Sequence, residues 1–235
     1  MPVSRLSKQL PVPATRQESL LTGKVIVPSR AKVRPKTMAN KENLVQGLCF
    51  QTELGWIALA LRPSALCGLV FGYRSGPRAE MALRRLLPHI TLGNGLPSAT
   101  ITENRDGNYE TSLTSRLARF AEGADVDFRD VRLVTDHLTP FGCRVVLACR
   151  RVGWGQTSTY GALAAQCGSP GSARAVGQAM ASNRFPLVVP CHRILAAGGG
   201  IGGFSAPQGV RMKRRLLEME RVAEKAGRRG LGAVR

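Results

Sequence analysis

The sequence predicts an α+β protein in which a small sheet-containing domain precedes a mostly helical one. Three short runs with the composition of β-strands lie between residues 48 and 72. Beyond residue 139 the apolar residues recur with helical spacing, and a glycine-bearing turn at 168–171 separates two short helical segments. We therefore divide the folded part of the chain into domains at 44–136 and 137–225.

The first domain is expected to be an antiparallel hairpin extended by a third strand and by helices. Its predicted elements are strands at 48–52, 56–61 and 67–72, helices at 78–87 and 113–120, a turn at Asp106-Gly107 and a last strand at 131–134. Reactive side chains do not cluster in this stretch, so we expect it to serve as a scaffold.

The second domain is expected to open with a helix that Thr139 caps and Pro140 begins. A final helix is predicted at 211–224, followed by a basic, glycine-rich tail at 226–235. Before the first domain, residues 1–43 hold nine Lys and Arg residues against two Glu, without any sustained periodicity. We interpret this segment as a flexible basic arm.

Between those helices lies a helix-turn-helix candidate. Ser158 or Thr159 can cap a helix at 160–167, and Ser172 can cap a second helix that ends near residue 182. Small side chains keep the second helix thin, so it can either approach a nucleic-acid groove or pack closely against another helix. The net charge of the chain favours the first interpretation.

That net charge is +19 over 235 residues, with a hydrophobic fraction of 43% that is sufficient for a core. Such an imbalance favours a polyanionic partner, most commonly nucleic acid, with an anionic membrane surface as the rival. Neither a membrane-spanning run nor a secretory leader is evident. The six cysteines form no CxxC pair, so we expect free thiols in the cytoplasm, at the nucleoid if the source is bacterial.

The chain is organised around Pro190-Cys191-His192-Arg193. The apolar run 185–189 before it is interpreted as a buried strand or extended segment, and Pro190 is expected to deliver the cysteine at a defined angle. The thiolate is the nucleophilic form of cysteine, and His192 is the local group that can raise its fraction. A bare Cys-His pair also fits a buried cysteine followed by a surface histidine.

A glycine-rich loop at 198–203 follows and formally contains G-x-G-x-x-G. We reject a dinucleotide site, because that fingerprint must follow the first strand of a βαβ unit and open a helix. The glycines are better explained by a close approach of the backbone to a ligand.

Several spaced motifs together resemble the O6-alkylguanine-DNA alkyltransferases, the methylated-DNA–protein-cysteine methyltransferases. The matching residues are Thr159-Tyr160-Gly161, Ala173-Arg174-Ala175-Val176-Gly177, Asn183, Pro190-Cys191-His192-Arg193, Gly202-Gly203-Phe204-Ser205 and 216–220. The resemblance is strong from 138 to 220 and looser back to 44. It implies a ribonuclease-H-like first domain and a winged-helix or helix-turn-helix-like second domain that carries the active-site cysteine.

The resemblance implies that Cys191 accepts the alkyl group from O6-alkylguanine, and from O4-alkylthymine, in DNA. His192 would act as the base through a water, Glu220 would stabilise the imidazolium, and Asn183 would orient the group. Taken alone, Glu220 would be interpreted as a solvated helix residue and Asn183 as a helix C-cap.

For the base itself, the resemblance implies that Tyr160 donates to ring N3 and that the Ser205 N–H bonds O6. The main-chain carbonyl of Ile194 would accept from the exocyclic amine, and Met180 would wall the pocket. Tyr160 and Met180 also fit a simple core position.

The target nucleotide would be flipped out of a duplex from the minor groove. Arg174 would fill the gap in the stack, and Ser172, Ala173 and Gly177 would face the DNA. No cofactor or metal is implied, the protein is expected to be a monomer, and one molecule would repair one lesion because the thioether has no evident route back to thiol.

Three other classes of function remain open. They are a non-catalytic lesion-binding protein of the same fold, a thiol hydrolase that uses Cys191 and His192, and a transcription factor. The chain also departs from common family patterns at Asn183-Arg184, Trp154 and Ala206-Pro207, and the last of these is expected to narrow the range of alkyl groups accepted.

Overall fold

The computed structural model describes residues 45–92, 96 and 109–231, with side chains described throughout except at 109–111 and 222–231. The basic arm at 1–43, the turn at Asp106-Gly107 and the last four residues lie outside this part. The described chain forms a mixed α/β fold with a small sheet and helices. Within these ranges, none of the helices combines the length and the apolar character needed to cross a bilayer.

The predicted meander is confirmed. Strands β1 (Gln46–Thr52), β2 (Gly55–Arg62) and β3 (Ala65–Tyr73) pair antiparallel in that order. The hairpin turn is stabilised by Thr52, whose Oγ1 donates to the Gly55 carbonyl at 2.7 Å and accepts from Leu54 N at 3.2 Å. Gly55 has φ +96°, which a residue with a side chain rarely adopts.

Both faces of the sheet are buried, because successive side chains of a strand point to opposite sides. Cys49, Ala58 and Ala60 face helix α1 (Gly76–Leu86). The alternating set, which includes Leu48, Phe50, Ile57, Leu59 and Phe71, belongs to a larger cluster shared with helix α2 (Tyr109–Ala121) and with the second domain. One continuous core therefore joins the two domains.

Two details of the first domain differ from prediction. The segment 131–134 is not a strand, because Leu133 makes a single parallel bridge to Leu66 before the chain turns away toward Pro140. Met81, one of the apolar residues whose spacing predicts α1, is 53% exposed, since the face of the helix that packs on the sheet is formed by Ala79 and Leu83.

The second domain contains helices α3 (Pro140–Arg150), α4 (Tyr160–Gln166), α5 (Ala173–Ala181) and α6 (Val210–Leu231). Two of the three predicted caps are confirmed. Thr139 accepts from Gly142 N, and Thr159 accepts from Ala162 N, both at 3.1 Å. Ser172 occupies the cap position of α5, but its side chain makes no capping hydrogen bond because its backbone is not extended there (φ −85°, ψ 29°).

Two further expectations about this domain were wrong. The run 185–189 is buried as expected, but it folds into a tight turn in which Val189 N donates to the Phe185 carbonyl at 2.7 Å and Leu187 has φ +70°. Pro186 and Pro190 lack the N–H groups that a strand would need. Helix α6 runs to Leu231 rather than ending at 224, so the predicted tail is largely helical.

Candidate active site

Cys191 begins a short 3-10 helix, Cys191–Arg193, directly after the buried turn. The segment is fixed on both sides. Cys191 N donates to the Val189 carbonyl at 2.7 Å, and strand β5 (Ile194–Leu195) pairs parallel with β4 (Ser158–Thr159). Because β4 runs directly into α4, this pairing brings the first residue of α4, Tyr160, to the cysteine. Cys191 is 6% exposed.

Asn183 fixes the position of the sulfur. Its Nδ2 donates to Cys191 Sγ at 3.3 Å and to the Val189 carbonyl at 3.0 Å, while its Oδ1 accepts from Phe185 N at 2.9 Å. The helix C-cap is Ser182, so Asn183 is not the cap. All its polar atoms are used by the turn that presents Cys191.

The resting sulfur is a neutral thiol. Burial raises the pKa of Cys191, and the Asn183 hydrogen bond and the Lys213 charge oppose this rise without overcoming it. The neighbouring imidazole therefore does not hold a preformed thiolate at neutral pH. The proton has to leave when the sulfur reacts.

His192 is completely buried and its Nε2 lies 2.8 Å from Glu220 Oε1. Burial raises the pKa of Glu220, but the hydrogen bonds from His192 and Arg193, together with the positive charge of Arg193, outweigh it and hold the pKa below its usual value. An ionised carboxylate can only accept, so Nε2 carries the proton and Nδ1 is the basic nitrogen. Nδ1 has no hydrogen-bond partner within the described residues.

The imidazole is neutral as well as oriented. Burial lowers the pKa of His192, with Glu220 opposing the shift and the Arg193 and Lys213 charges adding to it. A neutral, buried imidazole with a free Nδ1 can accept a proton, and the nearby carboxylate then stabilises the cation. No direct hydrogen bond joins Nδ1 to Cys191 in the described structure, which fits transfer through a water.

Arg193 holds the Glu220 carboxylate, a contact that its sequence position does not predict. Its Nε and Nη2 donate to the two oxygens of Glu220 at 2.9–3.1 Å, and its Nη1 donates to the Val152 carbonyl at 2.7 Å. The guanidinium lies 5.8 Å from the ring centroid of Trp154, which packs edge-on against Phe120. The one sequence signal for Arg193 is its position directly after Cys191-His192. The sequence does not show that Arg193 is buried.

The sequence gives no indication that Lys213 lies at this site. It lies on α6 with no exposed surface, and its Nζ donates to the Ile194 carbonyl at 2.6 Å. Burial lowers the pKa of Lys213, while negative charge on Cys191 or Cys149 would raise it. Lysine so buried is rare, but the basic run 211–215 gives no sequence signal that distinguishes this one.

A cavity of about 410 Å³ opens onto Cys191. It is lined by Tyr160, Gly177, Met180, Ala181, Cys191, Gly203, Phe204 and Ser205. Burial raises the pKa of Tyr160, and the thiols of Cys191 and Cys149 add to the rise, so its hydroxyl keeps its proton and can donate. The structure thus brings together five of the predicted residues, Cys191, Tyr160, Met180, Ser205 and Gly177.

A second cavity, the interdomain cleft, meets the first at Cys191, Phe204 and Ser205. Its volume is about 270 Å³, and β3 and α1 line its far side. Asn183 faces this cleft, whereas Ile194 lines neither cavity. Gly202 shapes the loop between them, because a Cβ there would meet the Tyr160 ring at 3.4 Å and its φ is +70°.

The predicted DNA-facing residues lie on the outer side of the domain. Arg174 is exposed in the first turn of α5, beside Ser172 and Ala173, while Val176 anchors the opposite face of the helix in the core. A Cβ added to Gly177 would meet no atom within 4 Å. The helix therefore offers a thin outer surface directly above the cavity.

All six cysteines are free thiols. Within the described residues, no group of three or more His, Cys, Asp or Glu side chains could hold a metal ion.

We expect Asn183→Ala to raise the pKa of Cys191 further, because the replacement removes the donor that stabilises the thiolate. The rate of Cys191 modification by iodoacetamide, followed by peptide mapping and measured against pH, should have its midpoint shifted toward higher pH. Ser182→Ala, which removes hydrogen bonds only to α5 carbonyls, is the matched control. An unchanged profile in Asn183→Ala would show that the amide does not act on the sulfur.

The chain is similar in sequence to proteins of one known family. Residues 140–222 match the family model of the 6-O-methylguanine DNA methyltransferase DNA binding domain. The chain is 40% identical over 117 residues to the methylated-DNA–protein-cysteine methyltransferase of Metallosphaera sedula, covering 49% of this chain and 70% of that protein. For the Sulfolobus acidocaldarius protein of the same name, identity is 38% over 125 residues, covering 53% and 76%. For that of Methanothermobacter thermautotrophicus, identity is 39% over 111 residues, covering 47% and 61%.

Solved structures give the same result. The Mycobacterium tuberculosis OGT in complex with DNA superimposes with a TM-score of 0.56 and 27% identity, covering 76% of this chain and 94% of that one. The O6-methylguanine-DNA methyltransferase of Pyrococcus kodakaraensis gives 0.54 and 26%, covering 75% and 99%. The chain therefore belongs to the methylated-DNA–protein-cysteine methyltransferase family.

Proposed function

We propose that this protein repairs O6-alkylguanine, and O4-alkylthymine, in double-stranded DNA by moving the alkyl group irreversibly to Cys191. The observation that carries the proposal is the placement of the Cys191 thiol. It opens into a cavity with the donors Tyr160 and Ser205, while a neutral imidazole is held beside it by a buried carboxylate. The family relatives act on methylated DNA by name, and the charge of +19 suits that substrate.

The reaction balances as a single displacement. The Cys191 proton moves through a water to Nδ1 of His192, and Glu220 stabilises the resulting imidazolium. The sulfur lone pair forms a bond to the alkyl carbon, and the carbon–O6 bond breaks with its electron pair going to the guanine. Tyr160 gives a hydrogen bond or proton to ring N3 and Ser205 N–H bonds O6 as the base leaves. The proton held by His192 then returns through solvent to the base, or to Tyr160 if that residue gave its own, so that neutral guanine results.

The products are guanine in DNA and a thioether at position 191. The main-chain carbonyl of Ile194 would accept from the exocyclic amine of the flipped base. Lys213, which donates to that same carbonyl, would hold it in place and supply positive charge near the sulfur as it loses its proton. A thioether is not reduced back to a thiol, so each molecule serves one lesion.

The target carbon is hidden in a duplex, so the nucleotide must leave the stack. We propose that α5 enters the minor groove with Ser172, Ala173 and Gly177 toward the DNA, as part of a winged-helix or helix-turn-helix-like domain. We further propose that the meander and its helices form the ribonuclease-H-like scaffold. The monomeric protein would work in the cytoplasm, which suits its six free thiols.

Two other functions make different predictions. A lesion-binding protein without transfer would leave Cys191 unmodified, and a thiol hydrolase would turn over on ester or peptide substrates repeatedly. The buried base behind Cys191 argues against the first, since binding alone does not need it. The exposed Arg174 on the helix that lines the cavity and the net charge of +19 argue against the second, since hydrolysis of an ester or a peptide needs neither.

The test is mass spectrometry of the intact protein after incubation with a duplex that carries one O6-methylguanine. We expect a gain of one CH2 group per molecule, located at Cys191 by peptide mapping, and none with unmethylated duplex. Repeated turnover, or a bound but unmodified protein, would select one of the alternatives instead.

Arg174 gives a prediction about base extrusion. Because its side chain is exposed at the start of α5, Arg174→Ala should slow transfer from duplex DNA by at least about tenfold, through loss of the group that fills the vacated stack. Transfer from free O6-benzylguanine should change less than about twofold, because no stack has to open. The measurement is the single-turnover rate on both substrates, and equal losses on both would remove Arg174 from this role.

A further inference from the structure

An open groove with four arginines adjoins the interdomain cleft. Its volume is about 620 Å³, and the charged residues that line it are Arg74, Arg78, Arg85 and Arg211. Its other lining residues, which include Tyr73, Met81 and Pro207, are uncharged. We call this surface the arginine groove.

The four side chains come from three separate parts of the fold. Arg74 follows β3, Arg78 and Arg85 lie on α1, and Arg211 lies at the start of α6. All four are exposed. Chain segments far apart in sequence therefore present cations to the same space.

These arginines lack the internal partners that other arginines have. Across residues 45–92, 96 and 109–231, none of the four forms an ion pair or a hydrogen bond with a carboxylate; Arg85 Nη2 contacts Met81 Sδ at 3.4 Å. Carboxylate partners at 2.6–3.1 Å are present for five other arginines, namely Arg84, Arg116, Arg129, Arg193 and Arg221. Crowding four unpaired like charges is unfavourable unless an anion from outside the chain occupies the groove.

The spacing favours an extended anion over a single ion. Arg78 and Arg85 are seven residues apart on one helix, so they lie on nearly the same face about 10 Å from each other along the axis. Duplex DNA carries one negative charge per ~1.7 Å of its axis, so a strand offers several phosphates over that span. Arginine forks also suit phosphate oxygens better than lysine does.

The groove is continuous with the reactive site. Tyr73, Ala82, Arg85 and Pro207 line both the arginine groove and the interdomain cleft, and the cleft reaches Cys191. A polyanion placed in the groove is therefore adjacent to the nucleophile, and the substrate proposed for that nucleophile is itself a polyanion.

We infer that the arginine groove binds the phosphodiester backbone of the substrate DNA, as a second contact on the first domain in addition to α5. This inference rests on the proposed function, because it takes its ligand from it. The contact would be to phosphates and would read no sequence, as repair at any position requires.

The test compares two double variants with the same change in charge. Arg78→Gln/Arg85→Gln removes two groove cations, and Arg119→Gln/Arg132→Gln removes two exposed arginines that do not line the groove. Affinity for a 30-base-pair unmethylated duplex is measured against salt. We expect the groove pair to reduce the slope of log K against log salt by roughly two and to weaken binding on the order of tenfold at low salt.

Equal slopes for the groove and control pairs would overturn the inference. The inference would also be overturned if the groove pair lost binding to anionic lipid vesicles but kept its binding to DNA. Arg74→Gln/Arg211→Gln, on other elements, is a second pair that must behave like the first. Transfer by the unaltered protein from methylated duplex is measured in parallel. Its absence would overturn the proposed function, while the salt slopes would still decide whether the groove binds DNA.

Discussion

Cys191→Ala should abolish alkyl transfer while leaving DNA binding intact. The sulfur is the atom that forms the new bond, and no other cysteine lines the cavity that holds Tyr160 and Ser205. The exposed outer face of α5 and the arginine groove do not contain Cys191, so affinity for duplex should change less than about twofold. The readouts are the intact mass after incubation with methylated duplex and the dissociation constant for the same duplex.

Cys167→Ala is the matched control. Cys167 has the same 6% exposure as Cys191 and also belongs to the core, but it lies at the end of α4 and lines neither cavity at the site. Each replacement removes one buried sulfur, so each should lower stability by about 1 kcal/mol. If Cys191→Ala still gains the alkyl group, or if Cys167→Ala loses transfer, the assignment of the nucleophile is wrong.

The sequence predicts the strands and helices better than it predicts the contacts that hold Cys191 in position. The hairpin at Gly55 and the caps Thr139 and Thr159 follow from local rules of turn and cap chemistry, and the structure confirms them. The run 185–189 looks like a strand because its residues are apolar and β-branched. Its tight turn depends on the Asn183 side chain, whose partners lie up to eight residues away.

The charge network behind the site was predicted only in part. Glu220 and His192 were paired through the family resemblance, and they lie 2.8 Å apart. The buried positions of Arg193 and Lys213 arise from tertiary packing of α6 against the 3-10 helix, and a lysine in a basic run gives no sign of it. The same packing reverses the simple expectation for Cys191, because its burial raises the thiol pKa where a lone Cys-His pair suggests a lower one.

Glu220→Gln should be the most destabilising of the substitutions considered. Glu220 is 1% exposed and accepts from His192, from Arg193 and from Gly155 N, so the neutral amide leaves the Arg193 cation buried without its counterion. Breaking a buried pair in this way costs about 3–5 kcal/mol. Transfer should also slow by at least about a hundredfold, because the imidazolium of His192 loses its stabilising charge. The measurements are urea unfolding and single-turnover transfer.

Acid should lower the free energy of unfolding of the unaltered protein, because His192 and Glu220 have shifted pKa values in the fold. His192 has a lowered pKa in the fold, so the unfolded chain binds a proton as pH falls below about 6.5 while the folded chain does not, and stability decreases. The lowered pKa of Glu220 adds a further loss below its ordinary value of 4.5. Glu220→Gln cannot titrate at this position, so its stability should fall less steeply in the lower range.

Two comparisons separate a lost charge pair from general damage to α6. Glu218→Gln changes an exposed carboxylate two residues away, whose pair with Arg221 lies at the surface, and should cost less than about 0.5 kcal/mol. Glu220→Gln/Arg193→Met removes both members of the buried pair, so it should be less destabilised than the sum of its two single variants. Strict additivity would mean that Arg193 and Glu220 are held by packing alone, and that the carboxylate does not organise the base behind Cys191.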